Sequence, residues 1–211
     1  MGVKSFDQAA DTYDQWYLLN PVILRMEREA ISRLGLRGLG LDVGCGTGVL
    51  TPSVTIGLDP SLPMLLRARS RDLEVVRARA EHLPFSDATF DHLLMTAAIS
   101  FFQDREATME EAGRVLKHGG IMGVCILNAN SSWGEFYARK GREGHPIYSS
   151  AYLLDVNELG ELMARHGMEV DLTVSCLHRA PGESLEGDQV VLGGDDGGFV
   201  CARGMKGHAR G

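Results

Sequence analysis

The segment Leu39–Leu50 carries the pattern that most suggests chemistry, a short apolar run followed by glycines at alternate positions. Gly44, Gly46 and Gly48 allow positive φ values, and they let a ligand approach the backbone without a Cβ atom in the way. A dinucleotide fingerprint of the G-x-G-x-x-G type requires glycine at position 49, where the chain has Val49. The spacing therefore disfavours a nicotinamide or flavin cofactor. Such a turn is often only a tight turn, but its place directly after a buried strand favours a ligand site.

A carboxylate at the end of the next strand complements the glycine turn. Asp59 follows Asp42 by seventeen residues and comes directly after the predicted strand Val54–Leu58. Ligands of open α/β sheets bind beyond the carboxyl ends of the strands, and a carboxylate accepts hydrogen bonds from ribose hydroxyls worth about 1.5–3 kcal/mol each. Asp59 is therefore a candidate ribose ligand. The alternative is that Asp59-Pro60-Ser61 only caps the following helix.

Two motifs carry a resemblance to a known family. The glycine turn, with Asp42 two residues before it, resembles motif I of the class I S-adenosylmethionine-dependent methyltransferases. The stretch Ala80–Asp91 resembles the A-E/D-x-L-P-F-x-D-x-x-F-D pattern of methyltransferase type 11 and of ubiquinone and menaquinone biosynthesis methyltransferases. The resemblance covers about Phe6 to Arg203 and implies S-adenosylmethionine as cofactor, with S-adenosylhomocysteine as product. It implies a cofactor site formed by Asp42, Gly44, Cys45, Gly46, Gly48, Asp59, Pro60, Met64, Ala80, Glu81, Thr96 and Ala97.

The resemblance also implies roles within that site. Glu81 and the backbone of Ala80 correspond to the family's adenine contacts, and Thr96 and Ala97 would line the methionine end of the cofactor. Met64 lies one turn into the helix after Asp59 and would face the adenine, with core packing as the equally weighted alternative.

The N-terminal segment Phe6–Tyr17 resembles the lid helix that closes over the cofactor in many members of the family. Tyr13 and Tyr17 are the candidate contacts, because a sulfonium cation beside an aromatic face gains about 0.5–2 kcal/mol. The alternative is that these rings only anchor the first helix on the domain.

The segment 128–152, after the predicted fifth strand, is expected to cap the acceptor side of the site. It is rich in aromatic residues, and Glu135 or His145 would be within reach to accept a proton. Each side chain has packing as its alternative role, and no catalytic residue is assigned. The candidate acceptor contacts are Trp133, Tyr137, His145 and Tyr148.

Alternating strand-like and helix-like segments predict the fold class, an α/β Rossmann-like doubly wound sheet of seven strands, mostly parallel with an antiparallel last strand. The predicted helices are Val22–Leu34, Ser61–Arg69, Arg105–Lys117 and Asp155–His166. The predicted strands are Leu39–Val43, Val54–Leu58, Leu73–Arg77, Phe90–Thr96, Ile121–Leu127, Met168–His178 and Gly198–Arg203.

These elements predict one domain over residues 1–205. Residues 1–35 form the N-terminal lid and helices, 36–128 the cofactor-binding core, 129–152 the acceptor-side cap and 153–205 the last helix and strand hairpin, while 206–211 form a disordered tail. One departure from the family is a connection of only five residues, Val49–Ser53, between Gly48 and the second strand. The family's first helix is thereby reduced to one turn at most, which is expected to loosen one wall of the cofactor site.

Composition excludes several classes of function. The chain of 211 residues has a net charge of −7, which disfavours a nucleic-acid partner because such proteins usually present a basic surface. No apolar run reaches the roughly twenty residues that span a bilayer, and the first residues lack a secretory signal, so a cytoplasmic location is expected. Five arginines between Arg67 and Arg79 are expected to form a solvated face, with an anion-binding patch as the alternative.

The cysteines and histidines predict no metal site and no disulfide. They show no C-x-x-C pair or other metal-ligand spacing, and the cysteines are far apart in mostly apolar runs, where a thiol behaves as a small hydrophobic group. The four cysteines are Cys45, Cys125, Cys176 and Cys201. The oligomeric state stays open between monomer and dimer.

The resulting hypothesis is an S-adenosylmethionine-dependent methyltransferase that acts on a small molecule by in-line displacement. The alternative is a regulatory or interaction protein that binds S-adenosylmethionine or S-adenosylhomocysteine without turnover, since the first helix is short and no base stands out. A nucleotide-dependent oxidoreductase is a weaker third option, and Val49 argues against it.

Overall fold

Eight strands form one sheet in the structure, a computed structural model that describes residues 2–52 and 55–207. The strand order is β3-β2-β1-β4-β5-β8-β6-β7. The first five strands in this order run parallel, whereas β8 is antiparallel to both β5 and β6. The strands are β1 (Gly40–Val43), β2 (Thr55–Asp59), β3 (Val75–Arg77), β4 (Phe90–Thr96), β5 (Leu116–Leu127), β6 (Met168–Cys176), β7 (Val191–Leu192) and β8 (Phe199–Lys206).

Helices cover both faces of the sheet, as the alternation of buried side chains along the strands requires. Leu93 and Met95 of β4 face one hydrophobic core, with residues of α4 and α6. Leu94, between them, faces the other core, with residues of α1, α2 and α5. The helices are α1 (Gly2–Leu19), α2 (Pro21–Ser32), α3 (Leu62–Arg69), α4 (Arg105–Val115), α5 (Ser132–Arg142) and α6 (Val156–Arg165), with short 3₁₀ helices at Ile99–Phe101 and Tyr148–Ser150.

Polar side chains cap several of these helices and fix where they begin. Ser61 caps α3 by accepting a hydrogen bond from the Met64 backbone at 3.4 Å. Asp155 and Glu158 form a reciprocal capping box at the start of α6. The capping role proposed as the alternative for Asp59-Pro60-Ser61 therefore belongs to Ser61, which leaves Asp59 available for another role.

The predicted fold class is confirmed, with small corrections to the elements. The predicted bounds of β4 are reproduced, and the last strand is antiparallel as expected. The sheet has eight strands rather than seven, because the two-residue β7, which lies between the last two predicted strands, pairs with β6. β2 begins at Thr55, and the predicted strand residue Val54 lies outside the described residues. β8 continues through Lys206, one residue into the predicted tail, and residues 208–211 also lie outside the described part.

One predicted helix was too long, and one helix was missed. The predicted helix Arg105–Lys117 corresponds to α4, which ends at Val115, and Leu116 already pairs with Phe90, so Leu116 and Lys117 belong to β5. Helix α5 was not predicted, because two glycines interrupt its sequence pattern. Gly134 is required there, since a Cβ atom at that position would meet the carbonyl oxygens of Asn128 and Ala129.

The expectation of free thiols was wrong for two cysteines. Cys125 and Cys201 form a disulfide, although they are 76 positions apart in sequence. They lie directly opposite one another on β5 and β8, and this pairing depends on a strand order that sequence spacing does not show. Cys45 and Cys176 are free.

The expected short connection between β1 and β2 is present. Residues 47–52, which follow Gly46, contain turns and bends and no helix within the described range. Arg28 of α2 donates two hydrogen bonds, of 3.0 and 2.8 Å, to the carbonyl of Val49. A side chain from another helix thus supports the segment where the family usually has a helix of its own.

Candidate functional site

A cavity of about 330 Å³ lies beyond the carboxyl ends of the parallel strands and under helix α1. It extends from Asp59 at the end of β2, past the ends of β1, β4 and β5, to Phe199 at the start of β8. With neighbouring strands about 4.8 Å apart, this distance across the sheet is roughly 19 Å. All the predicted site residues line the cavity except Gly48 and Trp133, so the two sets predicted from sequence share one site.

The glycine turn after β1 is held by the end of β2. The backbone N–H groups of Gly44 and Cys45 both donate to the carbonyl of Leu58, at 2.7 and 3.0 Å. The N–H of Gly46 donates to Asp59 Oδ2 at 3.0 Å, while Asp59 Oδ1 accepts from the Ser61 N–H at 2.8 Å. Burial raises the pKa of Asp59 to about 6, and the two N–H groups oppose that rise. The carboxylate therefore faces the glycine turn and keeps lone pairs free for hydroxyl donors.

Asp42 is a second buried carboxylate at the same edge of the sheet. The residue is 1% exposed, and its Oδ2 accepts a hydrogen bond of 2.5 Å from the hydroxyl of Thr51. Its Oδ1 is buried and has no donor among the described residues. Burial raises the pKa of Asp42 to about 7, so a ligand that donates a hydrogen bond to Oδ1 would stabilise the ionised form.

The segment after β3 forms the next wall of the cavity. Ala80 and Met64 are buried against it. Glu81 also lines it, with one oxygen accepting from the Gln103 backbone at 3.1 Å and the other lying 3.3 Å from Arg79. Each oxygen of Glu81 has one partner in the protein. Because a carboxylate has about four acceptor positions, Glu81 can still accept hydrogen bonds from a ligand.

Thr96 and Ala97 line the middle of the cavity, where β4 ends. Ala97 has φ of +53°, a backbone conformation that costs a residue with a Cβ atom about 1 kcal/mol or more. Its N–H donates to the carbonyl of Cys125 at 2.8 Å, which holds the strained turn in place. Strained backbone of this kind clusters at ligand sites.

Helix α1 covers the cavity, and polar contacts connect it to α3 and to the residues that flank α3. Ser61 donates to Asp7 at 2.6 Å, Arg71 pairs with Asp14 at 2.8 Å, and Arg67 pairs with Asp11. Two of the five clustered arginines thus hold α1 in place. Neither the solvated face nor the anion-binding patch considered for this cluster had included that role.

The other half of the cavity is aromatic. Tyr13 and Tyr17 of α1 contact each other edge to face with ring centroids 5.5 Å apart, and Tyr137 and Tyr148 lie 4.5 Å apart. His145 stacks beside Tyr148 at 4.9 Å, and partial burial together with nearby Lys140 lowers its pKa. These rings come from α1, from α5 and from the residues between α5 and the end of the following 3₁₀ helix, and they line this end of the cavity together.

Two predicted site residues have packing roles instead. Trp133 is buried away from the cavity, and its Nε1 donates to the carbonyl of Arg179 at 2.8 Å. Gly48 also does not line the cavity, and its missing Cβ makes room for Leu73 and Ala68. Glu135, considered as a proton acceptor, is exposed on α5 and is not part of the lining.

Sequence reasoning missed Glu27, which lines the aromatic half of the cavity from α2. The residue is 3% exposed, and its Oε2 accepts a hydrogen bond of 2.8 Å from Tyr17. A signal was present, because Ile23, Met26 and Ala30 repeat at helical spacing and place Glu27 on the same buried face.

Comparison with known proteins identifies the family. Residues 41–124 match a family model described as a methyltransferase domain. A crystal structure of an S-adenosylmethionine-dependent methyltransferase from Thermotoga maritima, described as a possible histamine N-methyltransferase, is 33% identical, with a TM-score of 0.92 and coverage of 98% of this chain and 100% of that one. The chain belongs to the class I S-adenosylmethionine-dependent methyltransferases.

Other relatives match this chain over different lengths. An uncharacterized protein of Methanocaldococcus jannaschii is 32% identical over 198 residues, covering 93% of this chain and 96% of its own length. A demethylmenaquinone methyltransferase of Corynebacterium kroppenstedtii is 36% identical over 91 residues, which is 40% of each chain. The relatives that match over the full length are therefore a possible histamine N-methyltransferase and an uncharacterized protein.

The site of this methyltransferase fits S-adenosylmethionine. The buried Oδ1 of Asp42 has no partner among the described residues and could accept a hydrogen bond from the ligand. The carboxylate of Asp59, beside the glycine turn, could accept hydrogen bonds from ribose hydroxyls. Gly46 has φ of +54° and no protein atom within 4 Å of where a Cβ would stand, so its open side faces the cavity. These are the features that a bound nucleoside with an amino acid tail would occupy.

Substituting Gly46 and Gly48 separately is expected to distinguish ligand contact from packing. Gly46→Ala would project a methyl group into the cavity and weaken S-adenosylhomocysteine binding about tenfold, with a loss of stability of about 1 kcal/mol from its positive φ. Gly48→Ala would collide with Leu73 and Ala68, so its main effect would be a lower melting temperature.

Isothermal titration and thermal melts of both variants make this comparison. Unchanged affinity in folded Gly46→Ala would show that the ligand does not approach the turn at that position. A Gly48→Ala protein with normal stability and lost binding would contradict the packing role.

The contacts between α1 and α3 predict a dependence of cofactor binding on Arg71. Arg71 pairs with Asp14, and it also donates to the carbonyl of Thr47 in the glycine turn at 3.1 Å. Because exposed pairs contribute about 0–1 kcal/mol each, Arg71→Ala is expected to weaken S-adenosylhomocysteine binding only about threefold to tenfold. The affinity of the wild type should fall as salt is added, and the variant should be less sensitive.

Titration at low and high salt tests this prediction. Arg33→Ala is the matched control, because it removes an exposed pair with Glu29 on α2. An equal loss of affinity in both variants would rule out a specific role of the α1–α3 contacts.

Proposed function

We propose that this methyltransferase transfers a methyl group to a small-molecule acceptor bound in the aromatic half of its cavity. The observation that supports the proposal is the position of that half, which continues directly from the cofactor residues and is covered by Tyr17 and Tyr137. Both tyrosines are buried, so the acceptor end is covered rather than laid open as a groove for a polymer. The net charge of −7 also disfavours a nucleic-acid acceptor.

The residues of the chain act mainly by positioning. When bound, S-adenosylmethionine supplies a methyl group that is already activated on a sulfonium. Asp59 and Asp42 would fix the nucleoside and the amino acid portion, while the aromatic wall would orient the acceptor and exclude water. Orientation of this kind is worth as much as about 7–11 kcal/mol, so the reaction needs no further catalytic group unless the acceptor arrives protonated.

The named relatives suggest two kinds of acceptor. The Thermotoga maritima protein is described as a possible histamine N-methyltransferase, and the Corynebacterium kroppenstedtii protein as a demethylmenaquinone methyltransferase. The likeness to the former extends over the whole chain, and that to the latter over 91 residues within it. A nitrogen acceptor therefore has more support than a quinone ring carbon, and no observation favours the alternative of a binding protein without turnover.

A transfer assay with labelled S-adenosylmethionine tests the proposal. The purified protein would be incubated with a microbial extract separated by ultrafiltration into small-molecule and macromolecular fractions. The label is expected in products of the small-molecule fraction alone. Label only in the macromolecular fraction, or cofactor binding with no transfer to either fraction, would contradict the proposal.

The cytoplasmic location belongs to the same proposal. Within residues 2–52 and 55–207, none of the helices combines the length and the apolar composition that crossing a bilayer requires. The Cys125–Cys201 disulfide makes the location worth testing, because structural disulfides are rare in reducing compartments outside hyperthermophiles. Cell fractionation with an antibody against the protein would test it, and recovery outside the cytoplasmic fraction would contradict it.

A further inference from the structure

Glu27 is a buried acid in the acceptor half of the cavity. Its Oε2 accepts from Tyr17, but within the described residues no Lys, Arg or His lies at ion-pair distance from it. Its Oε1 has no donor in the same part of the chain and is not among the oxygens sealed from solvent, so it faces the cavity. One oxygen of the carboxylate thus remains available to a ligand.

The groups around Glu27 are aromatic and come from several elements. Tyr13 and Tyr17 face it from α1, Tyr137 from α5 and Tyr148 from the following 3₁₀ helix. Cys176 of β6 is a further titratable neighbour. Faces of tyrosine rings attract organic cations, with about 0.5–2 kcal/mol for each contact, so the walls and the acid favour the same kind of ligand.

The Glu27 carboxylate has no positively charged partner among the described residues. Burial raises the pKa of Glu27 to about 7, and the hydrogen bond from Tyr17 only partly opposes that rise. Lys140 of α5 lines the aromatic half, with its ammonium 4.9 Å from the ring centroid of Phe136, and Arg79 lines the other half beside Glu81. A buried carboxylate without a counter-charge is costly, and a cation in the cavity would remove that cost.

Glu27 and the residues that would hold the cofactor lie at opposite ends of the cavity. Asp59 and Asp42 follow β2 and β1, whereas Leu127 and Phe199, at the ends of β5 and β8, floor the aromatic end. The Glu27 carboxylate is therefore separate from the residues that fit the nucleoside, and the function of the cofactor site does not account for it.

We propose that the methyl acceptor is a small organic amine, held as its ammonium ion between Glu27 and the tyrosine rings and methylated on nitrogen. This inference rests on the proposed function, because it names the class of molecule that enters the acceptor half of the same cavity. A role of Glu27 limited to bonding Tyr17 would leave the second oxygen unused at a cavity surface.

The transfer step balances with Glu27 as the proton acceptor. The ammonium passes one proton to the Glu27 carboxylate, and the freed nitrogen lone pair forms the new bond to the methyl carbon. The carbon–sulfur bond breaks, and its electron pair stays on sulfur as a neutral thioether. The product leaves as a methylated ammonium ion, and Glu27 then returns its proton to solvent.

Binding to the S-adenosylhomocysteine complex tests the inference without relying on turnover. Isothermal titration would compare phenethylamine and histamine with phenethyl alcohol, which is neutral and of similar shape to phenethylamine. The wild type would be compared with Glu27→Gln, which keeps the size of the side chain, and with Glu29→Gln, which removes a carboxylate of the same helix that pairs with Arg33 and does not line the cavity.

An amine is expected to bind the wild-type complex about 10- to 100-fold more tightly than the alcohol, as for a hydrogen bond to a charged group. Glu27→Gln should lose that preference without changing affinity for the alcohol, whereas Glu29→Gln should retain it. Transfer to the preferred amine should yield an N-methylated product by mass spectrometry.

The outcomes separate this inference from the proposed function. A wild type that binds no S-adenosylhomocysteine would overturn the function itself. Normal cofactor binding with no preference for either amine over the alcohol would overturn the amine proposal alone. A preference that survives in folded Glu27→Gln would likewise overturn it, because the recognising group would lie elsewhere.

Discussion

Asp59→Ala is expected to weaken S-adenosylhomocysteine binding by about 100-fold or more, since two hydrogen bonds to a charged group contribute about 1.5–3 kcal/mol each. The substitution would also release the N–H groups of Gly46 and Ser61, which both donate to this carboxylate. Asp59 thus shapes the glycine turn and presents acceptors to the ribose, so a single change removes both contributions. Isothermal titration against the wild type measures the loss.

A second carboxylate provides the control for Asp59. Asp104 caps α4 by accepting from the Ala107 N–H at 2.9 Å, and it does not line the cavity. Asp104→Ala is expected to cost about 1 kcal/mol of stability and to leave cofactor affinity unchanged. Asp59→Ala with wild-type affinity, or an equal loss in the two variants, would show that the carboxylate after β2 does not hold the cofactor.

The cofactor half of the site was readable from sequence because its signals are local. The apolar run before the glycine turn, and the carboxylate at the end of the next strand, each specify a position within a few residues. β4 was predicted with its observed bounds because seven residues from Phe90 to Thr96 are flanked by turn residues and buried on both faces of the sheet.

The acceptor half was harder to read because it depends on long-range pairing. Glu27 looks like one charge among several in α2, and its burial follows from α1 folding over that helix. Trp133 and Tyr137 are both aromatic residues of α5, yet only Tyr137 faces the cavity. Residue type alone does not separate these roles, since helix orientation decides which side chain points inward.

The disulfide is the clearest case of a feature that requires the strand order. Cys125 and Cys201 become neighbours only because β8 enters the sheet between β5 and β6. The bond also lies beneath the acceptor half of the cavity, since Leu127 and Phe199 lie two residues away on the two strands and form its floor. A slip of β8 by one residue along β5 would turn the side chain of Phe199 to the other face of the sheet.

Breaking the Cys125–Cys201 bond is therefore expected to have the largest effect on stability of any change considered. In the chain-entropy model, a crosslink that spans 76 residues stabilises the folded state by about 4.5 kcal/mol. Chemical denaturation of the wild type should show a loss of up to about that size when a phosphine reductant is present. The Cys125→Ala/Cys201→Ala double variant should unfold equally with and without reductant.

Thiol titration in denaturant decides whether the bond itself causes the difference. Protein purified without reductant should expose only the thiols of Cys45 and Cys176, and reduction should release those of Cys125 and Cys201 as well. Reaction of all four thiols before reduction would contradict the disulfide. Because the bond fixes the register of the strands beneath the acceptor, its loss should weaken binding of phenethylamine more than that of S-adenosylhomocysteine, whose residues follow β1 and β2.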